Sequence, residues 1–182
     1  WLVRGEGEHA FRELCAALLS ARAPEAGGPI VSVRRTGRLG VLEAGTVDPA
    51  TIDPGYRLYT VEDLVRKLTY VEASRGCPFG CEFCLSSLDR RVRNFPLEGF
   101  LTELERLFER GARAFKFLDR TFNLDVGRAR TIMDFFLARL GPLSYVHFEM
   151  VPSRFPAELR ETLTRFPAGS LRLEVGIQTF NP

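Results

Sequence analysis

From Thr69 onward, short apolar runs of strand character alternate with longer stretches that carry apolar residues at helical spacing. The strand-like runs are Thr69 to Ser74, Ala114 to Leu118, Tyr145 to Met150 and Leu171 to Ile177. Between them, Leu97, Phe100, Leu101, Leu104, Leu107 and Phe108 line one helical face, and Ala129, Ile132, Met133, Phe136, Leu137 and Leu140 line another. Gly111 and Gly141-Pro142 supply the stops. A third helix starts near Pro156, a good first-turn residue, and is expected to bury Leu159, Leu163 and Phe166. A β-α-β-α-β-α-β series predicts an α/β fold, a parallel sheet with helices packed against it. In such sheets the chemistry gathers at the C-terminal ends of the strands.

The stretch Cys77-Pro78-Phe79-Gly80-Cys81-Glu82-Phe83-Cys84 follows the first of these strands. It holds three of the four cysteines, spaced C-x-x-x-C-x-x-C. Thiolates crowded this closely on a loop converge on a metal centre. Three ligands leave a four-iron cluster one iron short, and an open iron is where a substrate or cofactor can be activated. Gly80 is expected to let the loop turn tightly between the first two ligands. Phe83 sets an aromatic face beside the third. The bare spacing also suits zinc or a plain structural cluster. A structural zinc site needs a fourth ligand, and Cys15, His9 and His147 are all distant in sequence. Cys15, on the apolar face of an early helix, reads as a packing residue.

Ahead of this region, Trp1 to Val3 reads as the end of a strand. His9 to Leu19 reads as a helix with Phe11, Leu14, Cys15, Leu18 and Leu19 on one face. Glu6 and Glu8 stand where acidic residues favour a helix N-terminus. Ile30 to Arg34 and Leu39 to Glu43 form a small hairpin around Thr36-Gly37. Asp48 to Gly55 is a linker, and Thr60 to Leu68 holds a short helix with Val61, Leu64, Val65 and Leu68 facing inward. The expected organisation is therefore residues 1–20, a connector over 21–68, and a main domain over 69–182. A net charge of +2 argues for neither nucleic acid nor membrane. No apolar run is long enough to span a bilayer, and clustered free cysteines suit a reducing cytoplasm. The chain starts without Met and stops directly after a strand, as a piece of a longer protein would.

A cysteine loop between a strand and its helix, with an aromatic before the last cysteine, resembles the radical S-adenosylmethionine (radical SAM) superfamily. Three stretches are similar to its cobalamin-binding-domain branch with a C-terminal domain of uncharacterised function. They are Tyr70 to Phe79 (Tyr-Val-Glu-Ala-Ser-Arg-Gly-Cys-Pro-Phe), Phe115 to Asn123 (Phe-Lys-Phe-Leu-Asp-Arg-Thr-Phe-Asn) and His147 to Pro152 (His-Phe-Glu-Met-Val-Pro). The resemblance implies a partial (β/α) barrel truncated after about four β/α units. Residues 1–20 would be the remnant of a Rossmann-like cobalamin domain. That domain's D-x-H-x-x-G motif does not occur here. The implied activity is reductive cleavage of S-adenosylmethionine to a 5′-deoxyadenosyl radical, with cobalamin-linked chemistry such as methyl transfer in the full-length protein.

By the same resemblance, Cys77, Cys81 and Cys84 ligate a [4Fe-4S] cluster, and S-adenosylmethionine chelates its fourth iron. Phe83 would pack near the adenine. Asp119 stands where many relatives carry a G-G-E run that receives the cofactor's amino group; the alternative is that it caps the next helix or pairs with Arg120. Glu149 and Arg154 would meet the cofactor or substrate, or else pair with each other. Gly176-Ile177-Gln178-Thr179-Phe180 is similar to a G-x-Q-S-F run that places Gln178 close to the cofactor. The basic run of Arg90, Arg91 and Arg93 reads as solvated surface. The implied partners are a small-molecule substrate and a reducing electron donor of flavodoxin or ferredoxin type. Two rivals remain at this point: a methylthio-transfer enzyme acting on transfer RNA, and a non-catalytic electron-transfer module.

Overall fold

The computed structural model describes residues 1–142 and 144–176. It divides into two compact units that part between Asp53 and Pro54. The first unit holds β1 (Leu2–Arg4), α1 (Gly7–Leu19), β2 (Ile30–Thr36) and β3 (Leu39–Ala44). Its sheet order is β1-β3-β2, with β1 parallel to β3 and β2 antiparallel to it. The hairpin predicted around Thr36-Gly37 is present, with Gly37 at φ +60° in the turn. The hairpin is not a free connector: its second strand pairs with β1, so residues 1–20 and the hairpin share one core of Ala10, Leu14, Ile30 and Leu42. Residues 1–20 and the hairpin fall in one compact unit that ends at Asp53. Helix α1 buries Ala10, Leu14 and Ala17, while Phe11, Leu18 and Leu19 are exposed. Small residues let a helix approach a sheet closely, and the buried stripe includes alanines that a search for bulky apolar residues passes over.

The second unit opens with α2 (Val61–Arg66) and contains β4 (Thr69–Val71), β5 (Ser74–Arg75), β6 (Arg93–Asn94), α3 (Leu97–Glu109), β7 (Ala114–Phe117), α4 (Val126–Leu137), β8 (Tyr145–Met150), α5 (Ala157–Thr164) and β9 (Leu171–Val175). Helix α2 is set by a capping box: Thr60 Oγ1 accepts from Asp63 N at 3.1 Å, and the Asp63 carboxylate accepts from Thr60 N at 2.9 Å. Of its expected inward residues, Leu64 is buried, but Val61 and Val65 are exposed. One turn and a half of helix can seat only a narrow stripe on the sheet. Thr60→Ala should lower stability by about 1 kcal/mol in urea unfolding. An unchanged midpoint would mean that the box contributes nothing.

Four strands pair in the order β4-β7-β8-β9, all parallel. The alternation of side chains sorts them cleanly. Val71, Phe115, Phe117, Val146, Phe148 and Met150 point to one face and are buried with Phe100, Leu104, Leu107, Phe136 and Leu159 from the helices. Phenylalanines dominate this layer: Phe117 packs edge-on to Phe100, Phe122 and Phe136, with ring centroids 5.0 to 5.9 Å apart. The opposite face carries Tyr70, Lys116, Tyr145, His147, Glu149, Arg172 and Glu174, by register and parity. The fold is therefore α/β with a parallel sheet, as expected, and the loops that follow β4, β7 and β8 lie at its C-terminal edge.

Candidate functional site

β4 ends at Val71, where Leu118 N donates to Val71 O at 2.9 Å, earlier than the predicted Ser74. The next residues leave the sheet because they find other partners. Ser74 and Arg75 form the two-residue strand β5, antiparallel to β6, with Ser74 opposite Asn94 and Arg75 opposite Arg93. Phe95 N donates to Ala73 O at 3.0 Å, and Cys77 N donates to Asp89 O at 2.9 Å. A narrow neck thus closes the loop that carries the three cysteines.

Gly76 stands inside this neck at φ +96°, and a Cβ there would lie 2.2 Å from Arg91 O. Gly76 is the glycine this loop requires. Gly80, singled out from sequence, does not have a positive φ; its nearest neighbours are atoms of the flexible Arg90 guanidinium.

None of the four cysteines is in a disulfide; Cys77 is buried, and Cys81 and Cys84 are half-buried. Cys84 N donates to Cys81 O at 3.1 Å, which turns the chain between the second and third thiols. Among the described residues no three metal-ligating side chains are gathered at one point. The thiols share a loop without converging. Three thiols on one loop, none of them in a disulfide, are the donor chemistry of a cluster with three protein ligands, so the residues fit such a group. Phe83 is 83% exposed, and Leu85 and Leu88 beside it are equally open. In the basic run, Arg93 is largely buried and pairs with Asp89, whereas Arg90 and Arg91 are exposed.

Asp119 follows β7 and is 2% exposed. Its two oxygens accept from Ala73 N at 2.9 Å and from Ser74 Oγ at 2.5 Å. Burial pushes its pKa up to about 6, against the pull of these hydrogen bonds. Arg120 points elsewhere, donating to Glu149 at 3.2 Å. Glu149 therefore pairs with Arg120 and not with Arg154, whose side chain is exposed and whose carbonyl accepts from Asn123 Nδ2 at 2.5 Å. Gln178 lies outside the described residues.

Several residues that shape the site gave no signal in sequence. Asn123 is fully buried; its Oδ1 accepts from Val151 N at 2.7 Å, and its Nδ2 donates to Val151 O at 3.0 Å. This amide stitches the loop after β7 to the end of β8. Arg128, in the first turn of α4, donates through Nη2 to Ala73 O at 3.1 Å and Phe95 O at 2.7 Å. Glu72 holds Arg75 in a two-pronged pair at 2.9 and 2.8 Å. On the polar face of the sheet, His147 Nε2 stands 3.1 Å from Glu174, off the line of a good hydrogen bond. Desolvation, then the nearby Lys116, holds the His147 pKa below its ordinary value.

No family model matches the chain. An uncharacterized methyltransferase of Pyrococcus horikoshii is 36% identical over 141 residues, 70% of this chain and 30% of that protein. The cobalamin-dependent radical SAM methyltransferase TokK of Streptomyces tokunonensis is 36% identical over 116 residues, 57% of this chain and 17% of TokK. Both relatives are methyltransferases by name, and TokK is a cobalamin-dependent radical SAM enzyme. The chain spans less than a third of either relative's length.

Two structures of the radical SAM methyltransferase TsrM from Kitasatospora setae share the fold of this chain. One, with cobalamin and a [4Fe-4S] cluster bound, aligns at TM-score 0.67 over 96% of this chain and 37% of that one. The other, with tryptophan and a SAM analogue, aligns at 0.69 over 99% and 38%. Sequence identity to both is 20%, and the likeness is one of fold. Among the described residues, no helix is long and apolar enough to cross a membrane.

Proposed function

We propose that this chain carries the cofactor-loading part of a cobalamin-linked radical SAM methyltransferase. The observation that carries the proposal is the mounting of the cysteine loop: three cysteines, none in a disulfide, held at the C-terminal end of the first strand of a parallel sheet. In this reading Cys77, Cys81 and Cys84 hold a [4Fe-4S] cluster, and S-adenosylmethionine binds beside it. Bound there, the cluster supplies the electron that cleaves the cofactor's sulfonium bond.

The chain's own residues have defined tasks. The neck fixes where the thiol loop begins and ends. Phe83, open to solvent, offers an apolar face for the adenine. Glu149, with its Arg120 partner, and the exposed Arg154 provide charges for the amino acid part of the cofactor or for the substrate. Asp119, whose two oxygens accept from Ala73 N and Ser74 Oγ, holds the start of the cysteine loop. Gln178 is assigned to the cofactor by its motif alone. The four strands form part of a (β/α) barrel, and residues 1–20 are the exit of a cobalamin domain. A reducing donor of flavodoxin or ferredoxin type supplies electrons, and the methyl acceptor is a carbon of a small substrate.

The relatives' names support methyl transfer over methylthio transfer or electron transfer alone. The test is anaerobic reconstitution of the full-length protein with iron and sulfide, followed by electron paramagnetic resonance of the reduced form. A [4Fe-4S] signal that changes on adding S-adenosylmethionine is the expected result. A signal indifferent to the cofactor would overturn the reading in favour of electron transfer.

A further inference from the structure

The peptide of Ala73 is held from two sides by opposite charges. Its N–H donates to the Asp119 carboxylate at the end of β7, and its carbonyl accepts from the Arg128 guanidinium on α4. The same guanidinium nitrogen also reaches Phe95 O, on the returning side of the neck, at 2.7 Å. The second Asp119 oxygen takes the Ser74 hydroxyl at 2.5 Å. Two rigid elements of the main sheet layer thus grip both the outgoing and the incoming chain where the cysteine loop leaves the fold. Asp119 is buried, and Arg128 is partly desolvated.

The Ala73 N–H needs an acceptor but not a charged one, and the Ala73 carbonyl already accepts from Phe95 N. The neck already has its own ladder, and a buried charge is costly where a neutral group would do. What the charges add is direction. A carboxylate with two fixed acceptors and a guanidinium with a fixed fork define the orientation of a peptide far more tightly than ladder bonds at a two-residue strand. Three cysteines must be brought within bonding distance of one cluster, and an error in the angle of the neck is multiplied along the loop to Cys81 and Cys84.

We propose that Asp119 and Arg128 are positioning residues, with Ser74 as their contact on the neck, which together aim the cysteine loop from the sheet. The consequence for the cluster rests on the function proposed above. The grip on the neck does not, and each has its own readout.

The experiment compares Ser74→Ala, Arg128→Lys and the conservative Ser74→Thr in the full-length protein. Amide hydrogen exchange is followed in the cluster-free form, and cluster loss to a chelator and the resonance of the reduced cluster in the reconstituted form. Ser74→Ala and Arg128→Lys should speed exchange at residues 73–77 and 93–95 about tenfold, with α3 unchanged. The same variants should release the cluster several times faster and alter its resonance line shape, and Ser74→Thr should restore both. Neck exchange within about twofold of the parent in both variants would overturn the proposal. So would a uniform rise across the chain, which marks general destabilisation. Should Ser74→Ala fail to fold, Arg128→Lys decides alone, since it keeps the charge. A parent protein that takes up no cluster refutes the proposed function, while the exchange data still decide the grip.

Discussion

Gly76→Ala is expected to open the neck of the cysteine loop while leaving the sheet and its helices folded. Two costs combine. At φ +96° an L-residue is strained by about 1–2 kcal/mol. The added Cβ would also meet Arg91 O at 2.2 Å and Arg91 C at 2.9 Å. Those are backbone atoms, so no side chain can swing aside. The neck has little to resist with, because β5 and β6 contribute only two residues each. A total of about 3 kcal/mol or more should exceed what holds it. The Cys77 amide, which donates to Asp89 O, should lose its protection from exchange, and the amides of β7 and β8 should keep theirs. A Cys77 amide as protected as in the parent would show that the loop accommodates a side chain at 76. On the proposed function, the variant should also bind far less iron after reconstitution.

Asp119→Asn should make the cluster-free protein more stable at neutral pH. The folded protein raises the Asp119 pKa from 3.8 to about 6, with burial the main cause and the charge of Glu72 adding to it. Between those values the folded state binds more protons than the unfolded one, so stability falls as pH rises through that window. Above it the full cost is present, about 3 kcal/mol at 1.36 kcal/mol per unit. Arg128 opposes this cost, and Glu72, already committed to Arg75, adds to it. Asparagine removes the charge but cannot accept both hydrogen bonds, which leaves a net gain of about 1–2 kcal/mol. Urea unfolding should show the parent losing stability from pH 4 to 6 while the variant stays flat. Parallel pH profiles would mean that Asp119 is not the group responsible. Stability given up for placement is common where a fold supports chemistry.

The sheet was legible in the sequence because its apolar residues obey simple periods. Phe115 and Phe117 alternate with Lys116, and Leu104 and Leu107 recur on α3, so type and order of the elements followed directly. The three thiols were legible because they are adjacent in sequence. What holds them was not, since Ser74, Asp119 and Arg128 meet only after β4, β7 and α4 have come together. Asp119 drew notice for its position at a strand end, but its partner was sought in a ligand or in Arg120 when it was the backbone of Ala73. Glu149 and Arg154 were read as meeting the cofactor or substrate, or else as pairing with each other; the fold brings Arg120, after β7, to Glu149. Gly76 and Gly80 have equal standing as letters, and only φ and the closeness of Arg91 separate them. The pairing of β1 with β3 was not legible, because it links residues about forty apart, beyond the reach of local pattern.

The antiparallel pairing of Arg75 with Arg93 has one more consequence. The two ends of the cysteine loop emerge a single strand spacing apart, about 5 Å. A segment whose ends are that close is a cassette: it can be cut out at residues 76–92 and bridged by a short turn, or moved onto another two-stranded ribbon, without displacing the sheet beneath. The spacing of the thiols can therefore be altered in the laboratory at little cost to the scaffold that carries them.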